Sequence, residues 1–281
     1  MKVLVTGVKG KLGYDVMQEL QGRNMECLGI SRDDADITDF DATAQVITSY
    51  RPDAVIHCAA YTAVDKAEDN REICELVNEK GTDNIARLCK SMGAKMIYIS
   101  TDYVFPGTGD KPYNVDDATG PLGVYGETKL SGEHVVKEHI DKYFIVRISW
   151  VFGIHGNDFI KTMLKLAETR QEVGVVADQV GSPTYTADLA PLLCDMVVTE
   201  SYGVYHVTNE GMCSWAELAE EAFRAANLNT KVNHISTEDY PTRATRPKNS
   251  RLSKKSLDIA GFSRLPEWRD AVRRYIQKLY A

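Results

Sequence analysis

A doubly wound α/β fold, with a parallel sheet covered on both faces, follows from three features of the sequence. Short apolar runs alternate with longer amphipathic stretches from residue 3 to residue 147. The runs are apolar almost without interruption, as strands buried on both faces must be. A glycine-rich turn, Gly7 to Gly13, joins the first run directly to the first amphipathic stretch.

Each element has a local reason. Residues 3–6, 27–31, 54–58, 95–100 and 143–147 read as strands. Between them, residues 13–20 place Val16, Met17 and Leu20 on one helical face, and Pro52 ends a helix over 42–50. A long helix is expected over 72–92, stopped by Gly93, and another over 125–138. Residues 106–123, interrupted by prolines and glycines, form a loop ahead of that helix. Beyond Trp150 the pattern becomes mixed: helices over 159–169, 186–198 and 268–279, short strands over 173–177 and 204–207, and a capping box at Ser214 and Glu217 opening a further helix. The expected architecture is a Rossmann-type dinucleotide-binding domain over 1–150 and a smaller mixed α/β, mainly substrate-binding region over 151–281, some segments of which return to the first domain.

Composition narrows the class. The 281 residues are 43% hydrophobic and 26% charged, with a formal net charge of -7. An acidic chain is poorly suited to binding nucleic acid or an anionic membrane surface. Cys27, Cys58, Cys74, Cys89, Cys194 and Cys213 include no Cys-x-x-Cys pair, which favours free thiols over zinc or disulfides. The N-terminus lacks the length and cleavage region of a signal peptide, and no apolar stretch reaches the length of a membrane span. A cytoplasmic enzyme is the expectation.

Ligands of such sheets bind beyond the carboxyl ends of the strands, so the residues just after each strand carry the chemistry. Gly7, Gly10 and Gly13 follow the first strand and open a helix. Such a turn lets backbone approach a pyrophosphate, and the helix N-terminus offers it free N–H groups; a plain connecting turn is the competing reading. After the second strand, Ser31 and Arg32 stand where an acid would bind the ribose hydroxyls of NAD. A guanidinium there suits a 2′-phosphate and favours NADPH, with NADH still open; a solvated arginine beside Asp33 and Asp34 is nearly as good a reading. Asp36 and Ile37 are candidates for the adenine pocket, or simply the start of a helix. Small residues at Cys58-Ala59-Ala60 permit close approach to a flat ligand, or pack a crowded sheet. Tyr125 and Lys129 share a helix face, and a nearby ammonium lowers the pKa of a phenol toward its proton-transfer task. Their order after the glycine turn and after Ser100-Thr101 separates this pair from a chance Tyr-x-x-x-Lys.

On these motifs the chain resembles the extended short-chain dehydrogenase/reductase family, and within it the dTDP-4-dehydrorhamnose reductases. The resemblance rests on the string from Ala59 to Glu68, on Ser100-Thr101-Asp102-Tyr103-Val104-Phe105-Pro106-Gly107, and on Tyr125-Gly126-Glu127-Thr128-Lys129. Arg147 to Phe152 and Arg246 to Leu252 extend it over nearly the whole chain. It implies NAD(P)H-dependent reduction of the C4 ketone of a dTDP-linked sugar, giving dTDP-L-rhamnose for polysaccharide synthesis. It places Gly7, Gly10, Lys11 and Leu12 at the pyrophosphate, Ser31 and Arg32 at the adenosine ribose, Asp36 and Ile37 at adenine, and Ala59, Ala60, Tyr61 and Thr62 along the cofactor. It makes Thr101, Tyr125 and Lys129 catalytic: Thr101 and Tyr125 hold the carbonyl, Tyr125 donates the proton, and Lys129 binds the nicotinamide ribose. Asp102 and Trp150 contact the sugar.

Family members form homodimers bridged by magnesium on acidic residues. Asp15 and Asp188 are the counterparts here, but aspartate is shorter than glutamate, and no metal-ligand set is assigned. Arg243, Arg246 and Lys248 are equally candidates for the substrate diphosphate and for surface charge. Two other functions fit the same motifs: reduction of another nucleotide-linked 4-keto-6-deoxysugar, and a non-catalytic NADP-binding regulatory subunit. The intact Thr101, Tyr125 and Lys129 argue against the second.

Overall fold

The computed structural model describes residues 1–281. The chain begins β1 (Lys2–Thr6), α1 (Lys11–Gly22), β2 (Glu26–Ile30), α2 (Phe40–Tyr50), β3 (Ala54–His57), α3 (Val64–Asp69) and α4 (Arg71–Glu75). A π-helical turn at Leu76–Lys80 leads into α5 (Gly81–Met92). Then come β4 (Lys95–Thr101), a 3-10 turn at Asp102–Val104, α6 (Val124–His139) and β5 (Tyr143–Ile148). The second half holds β6 (Val151–Phe152), α7 (Phe159–Ala167), β7 (Glu172–Val176), β8 (Val180–Gly181), β9 (Thr184–Tyr185), α8 (Thr186–Val197) and β10 (Gly203–His206). It ends with β11 (Cys213–Ser214), α9 (Trp215–Ala225), β12 (Lys231–Ile235), β13 (Asn249–Ser250), α10 (Lys255–Ala260) and α11 (Trp268–Tyr280).

Six strands form one sheet in the order β10-β5-β4-β3-β1-β2, and every neighbouring pair is parallel. Alternate residues of each strand enter opposite cores. Val3, Val5 and Ile56 pack with Leu12, Val16 and Leu20 of α1 and with Leu189, Leu193 and Met196 of α8. Leu4, Val55 and Met96 pack on the other face with Ile47 of α2, Ile85 and Leu88 of α5 and Val136 of α6. Both faces are therefore dry, which is why the strands read as continuous apolar runs. The helix ends follow their sequence cues. Asp39 caps α2 by accepting from the Ala42 N–H, Gly93 stops α5 at φ 67°, and Ser214 and Glu217 close the capping box of α9.

One feature departs from the sequence reading. The single helix expected over 72–92 is interrupted by the π turn, at which Asn78 is buried. The Asn78 carboxamide bonds the Tyr61 N–H (2.8 Å), the Tyr61 carbonyl (3.1 Å) and the Thr128 hydroxyl (3.1 Å). Those bonds reward a local widening that apolar periodicity cannot report. Two segments of the second half return to the first domain, as the sequence suggested: the strand near 204–207 is the sixth strand of the main sheet, paired with β5, and α8 covers that sheet beside α1. What remains beyond Trp150 builds a second core around Phe152, Tyr185, Phe223, Trp268 and Tyr275, with the small sheet β7–β12 at its side.

α6 lies close to the sheet only because Gly132 has no side chain. A Cβ there meets the ring of Tyr98 and sits 2.8 Å from the Asn78 carbonyl. Gly132→Ala is expected to lower unfolding stability by about 1–3 kcal/mol, the ordinary cost of overpacking a filled core, read as a reduced urea midpoint at unchanged slope.

Candidate active site

A cleft of about 1440 Å³ runs along the carboxyl ends of the main strands and continues under the second core. At its first end, Gly7 takes φ 72°, and a Cβ on it would fall 2.7 Å from the Ala59 nitrogen. Only glycine fits there. The Gly7 N–H is held by the Ile30 carbonyl, and Gly10 caps α1 without any side chain. The first-turn N–H groups of α1 thus remain open toward the cleft. Lys11, Leu12, Ser31, Arg32, Asp36 and Ile37 line the same end. The Arg32 side chain is 87% exposed and engages Asp36 through Nε alone (2.9 Å), leaving the outer edge of the guanidinium for a ligand. Asp36 is held below the usual carboxylate range, chiefly by the Thr38 N–H. Ala59, Ala60, Tyr61 and Thr62 form the next stretch of wall.

At the centre, Thr101, Asp102, Tyr125 and Lys129 meet. Thr101 ends β4, and Tyr125 and Lys129 lie in the first turns of α6. Burial raises the Tyr125 phenol, the Thr101 hydroxyl opposes that rise, and the Asp102 charge adds to it. The sequence led to the opposite expectation, a phenol lowered by Lys129. Here burial outweighs any lowering by the ammonium, and Lys129 Nζ lies 4.0 Å from the centre of the Tyr98 ring. Burial also brings Lys129 down to about 7, with Glu133 resisting. Asp102 is pushed up to about 6 by burial, although Ser250 and Thr101 temper the rise. One Asp102 oxygen accepts from Thr101 (3.1 Å); the other is buried near the Ser250 hydroxyl, too far or too poorly aligned for a hydrogen bond of ordinary geometry.

The far wall belongs to the second core. Trp150, at φ 50°, stacks on Trp215 with ring centres 3.8 Å apart, and Trp215 Nε1 donates to Gln179 (3.2 Å). Phe159 leans on Trp215, and a Cβ at Gly181 would meet the Trp150 ring at 3.0 Å. Of the three cations near residue 246, only Arg246 lines the cleft; it pairs with Asp65 and donates to Tyr103 (3.1 Å). Arg243 pairs with Asp69, and Lys248 with Asp178 and Glu238, both outside it.

The family model described as the RmlD substrate binding domain matches residues 1–281. The chain belongs to this family. The spore coat polysaccharide biosynthesis protein SpsK of Bacillus subtilis is 39% identical, over 99% of this chain and 97% of its own. A crystal structure of a dTDP-4-dehydrorhamnose reductase from Clostridium acetobutylicum superposes with a TM-score of 0.98 at 40% identity, covering 100% of both chains. One of the same name from Bacillus anthracis, in complex with NADP, gives 0.96 at 42% identity over 99% of each chain.

As a member of this family the chain has a cleft suited to a dinucleotide: a turn with no room for a Cβ, open helix N–H groups, a free guanidinium edge and an ammonium with no protein acceptor. Of the two residues weighed for a magnesium site, Asp188 has both oxygens engaged within the chain. Asp188 accepts two bonds from Arg274 (2.7 and 2.8 Å) and one from Asn209 (2.7 Å), and no group of three acidic, histidine or cysteine side chains is assembled. No helix is long and apolar enough to cross a membrane. The sequence reading missed Asn78, Glu133, Phe159, Gln179 and Trp215. Trp215 was visible only as part of a helix cap, and the others carried no motif.

The carboxyl of Asp102 sets a test. In the unfolded chain it titrates near pH ~4, but the folded protein keeps its proton up to about 6. Between those values only the folded state binds the proton, so this stabilising contribution is present below about pH 4 and is lost as pH rises through 6. Asp102→Asn is expected to be no more stable than the native chain at pH 4, and more stable at pH 7.5 by up to about 3 kcal/mol, in urea unfolding at both pH values.

Proposed function

We propose that this protein reduces the C4 ketone of dTDP-4-dehydro-L-rhamnose to dTDP-L-rhamnose, using NADPH. The observation that carries the proposal is the meeting of Thr101, Tyr125 and Lys129 in one cleft with the glycine turn at its end, in a chain whose 42%-identical relative is named for this reduction and holds NADP. Reduction of a ketone needs a hydride at carbon and a proton at oxygen, delivered by different partners. When bound, the reduced nicotinamide supplies hydride to the carbonyl carbon.

The chain's own residues supply the rest. Lys11 and Leu12 offer backbone N–H groups to the pyrophosphate, and Gly7 and Gly10 let the chain turn close beside it. Arg32 offers paired donors to a 2′-phosphate, and Ser31, Asp36 and Ile37 border the adenosine. Ala59, Ala60, Tyr61 and Thr62 set the cofactor's flank, and Lys129 donates to its ribose. Thr101 and Tyr125 both donate to the carbonyl oxygen, which orients the ketone. Because burial raises the Tyr125 phenol, it holds its proton at neutral pH until negative charge develops on that oxygen. The proton then passes from the phenol to the new alkoxide, completing the C–OH group. Asp102 and Trp150 hold the sugar ring against the opposite wall.

Turnover of dTDP-4-dehydro-L-rhamnose with NADPH and with NADH, the product's C4 configuration read by NMR, tests the assignment; the L-talo epimer at C4 or absence of turnover removes it. Tyr125→Phe is expected to lower kcat at least ~100-fold, the usual loss of a proton-transfer group, while NADPH binding followed by fluorescence changes little. Arg32→Ala is expected to raise the KM for NADPH about tenfold, as loss of a charged hydrogen bond does, and to leave the KM for NADH nearly unchanged.

A further inference from the structure

Tyr125, Lys129 and Glu133 recur every four residues on one face of α6. Glu133 is completely buried, one turn beyond the lysine. Both of its oxygens are occupied. One accepts from the Ser100 hydroxyl (2.6 Å) and from Arg147 Nε (2.8 Å), and the other from Arg147 Nη2 (2.7 Å). Ser100 precedes Thr101 on β4, and Arg147 stands beside Ser100 in register on β5. The carboxylate therefore ties the helix bearing Tyr125 and Lys129 to the strand bearing Thr101.

Its charge has a second use. The Lys129 ammonium is buried, rests over the Tyr98 ring and finds no protein acceptor. Around it stand Tyr125 on its own helix, His57 and Cys58 at the end of β3, Cys74 on α4 and Tyr98 on β4. Burial keeps His57 neutral, at about 3, and the Cys58 thiol protonated, at about 12. Among these neighbours only Glu133 carries a negative charge near pH 7. Arg147 pairs with Glu133 from the strand side, through Nη2 at 2.7 Å.

We propose that Glu133 is a positioning residue for the reduction: it supplies the negative charge that sustains the Lys129 ammonium inside the fold and bolts α6 to the Thr101 strand. The role in reduction rests on the function proposed above; the effect on Lys129 does not. A buried ion pair can also be a mechanical staple with no bearing on the chemistry, so the test must read charge separately from folding.

The full chain, labelled with 13C at lysine Cε and with its Lys129 signal assigned through Lys129→Ala, is titrated without substrate. In Glu133→Gln the Lys129 midpoint is expected to fall by about one pH unit, the smaller end of what one nearby opposite charge imposes. In Ser100→Ala, which loosens the bolt and keeps the charge, the midpoint stays in place. Should Glu133→Gln fail to fold because Arg147 is left unpaired, the double variant Glu133→Gln/Arg147→Met removes both charges and is expected to show the same fall. In turnover, the alkaline limb of the kcat/KM profile moves down by the same interval, so that activity relative to the native chain recovers as the pH is lowered. Glu133→Asp is expected to restore most of both. An unmoved Lys129 midpoint, with turnover lost in equal proportion at every pH, overturns the proposal. A displaced midpoint in a chain that never reduces the sugar nucleotide upholds the charge assignment and overturns the functional one.

Discussion

Parallel strands cannot be joined by a tight turn, and that constraint organises this molecule. Each of the first five strands must return through a crossover before the next begins, so helices accumulate on both faces of the sheet. Every strand then ends on the same side. Thr6, His57 and Thr101 finish their strands together, and the segments that follow them, from Gly7, Cys58 and Asp102, are gathered into one cleft although they are far apart in sequence. That gathering is a consequence of handedness and pairing before it is a consequence of any single contact.

Within that cleft, removal from water is the leading force on the ionisable groups. It raises the phenol of Tyr125 and the carboxyl of Asp102 and lowers the ammonium of Lys129, in each case favouring the uncharged form. Hydrogen bonds and charges then correct the result locally: Thr101 acts on Tyr125, Ser250 on Asp102, and Glu133 on Lys129. A protonated phenol in a dry site suits donation to a carbonyl oxygen, because the proton leaves only when charge builds beside it.

The second core contributes the opposing wall and its rigidity. Trp150 occupies a left-handed backbone conformation that an aromatic residue rarely adopts, and it is retained by its stack on Trp215 and the open space at Gly181. Arg246 reaches across to Asp65 on α3 and to Tyr103 beside Tyr125. The two halves are therefore joined at the cleft itself, so packing in the second half has a direct route to the reacting groups.

Much of this was legible in the chain alone. Apolar periodicity and glycine placement located the five strands, most helices and the nucleotide turn, because those signals act between residues close in sequence. The residues that line the cleft were legible as well, since they follow strand ends in short strings such as Ser100-Thr101-Asp102 and Tyr125 to Lys129. What only the tertiary structure decided depends on contacts between distant segments. The Asn78 clamp and its π turn, the sixth strand drawn from residues 203–206, the capture of Asp188 by Arg274 and the Trp150–Trp215 stack each join residues at least seventeen positions apart. So does the sense in which Tyr125 is shifted: spacing places an ammonium near the phenol, but only burial, a property of the assembled fold, determines that desolvation outweighs it.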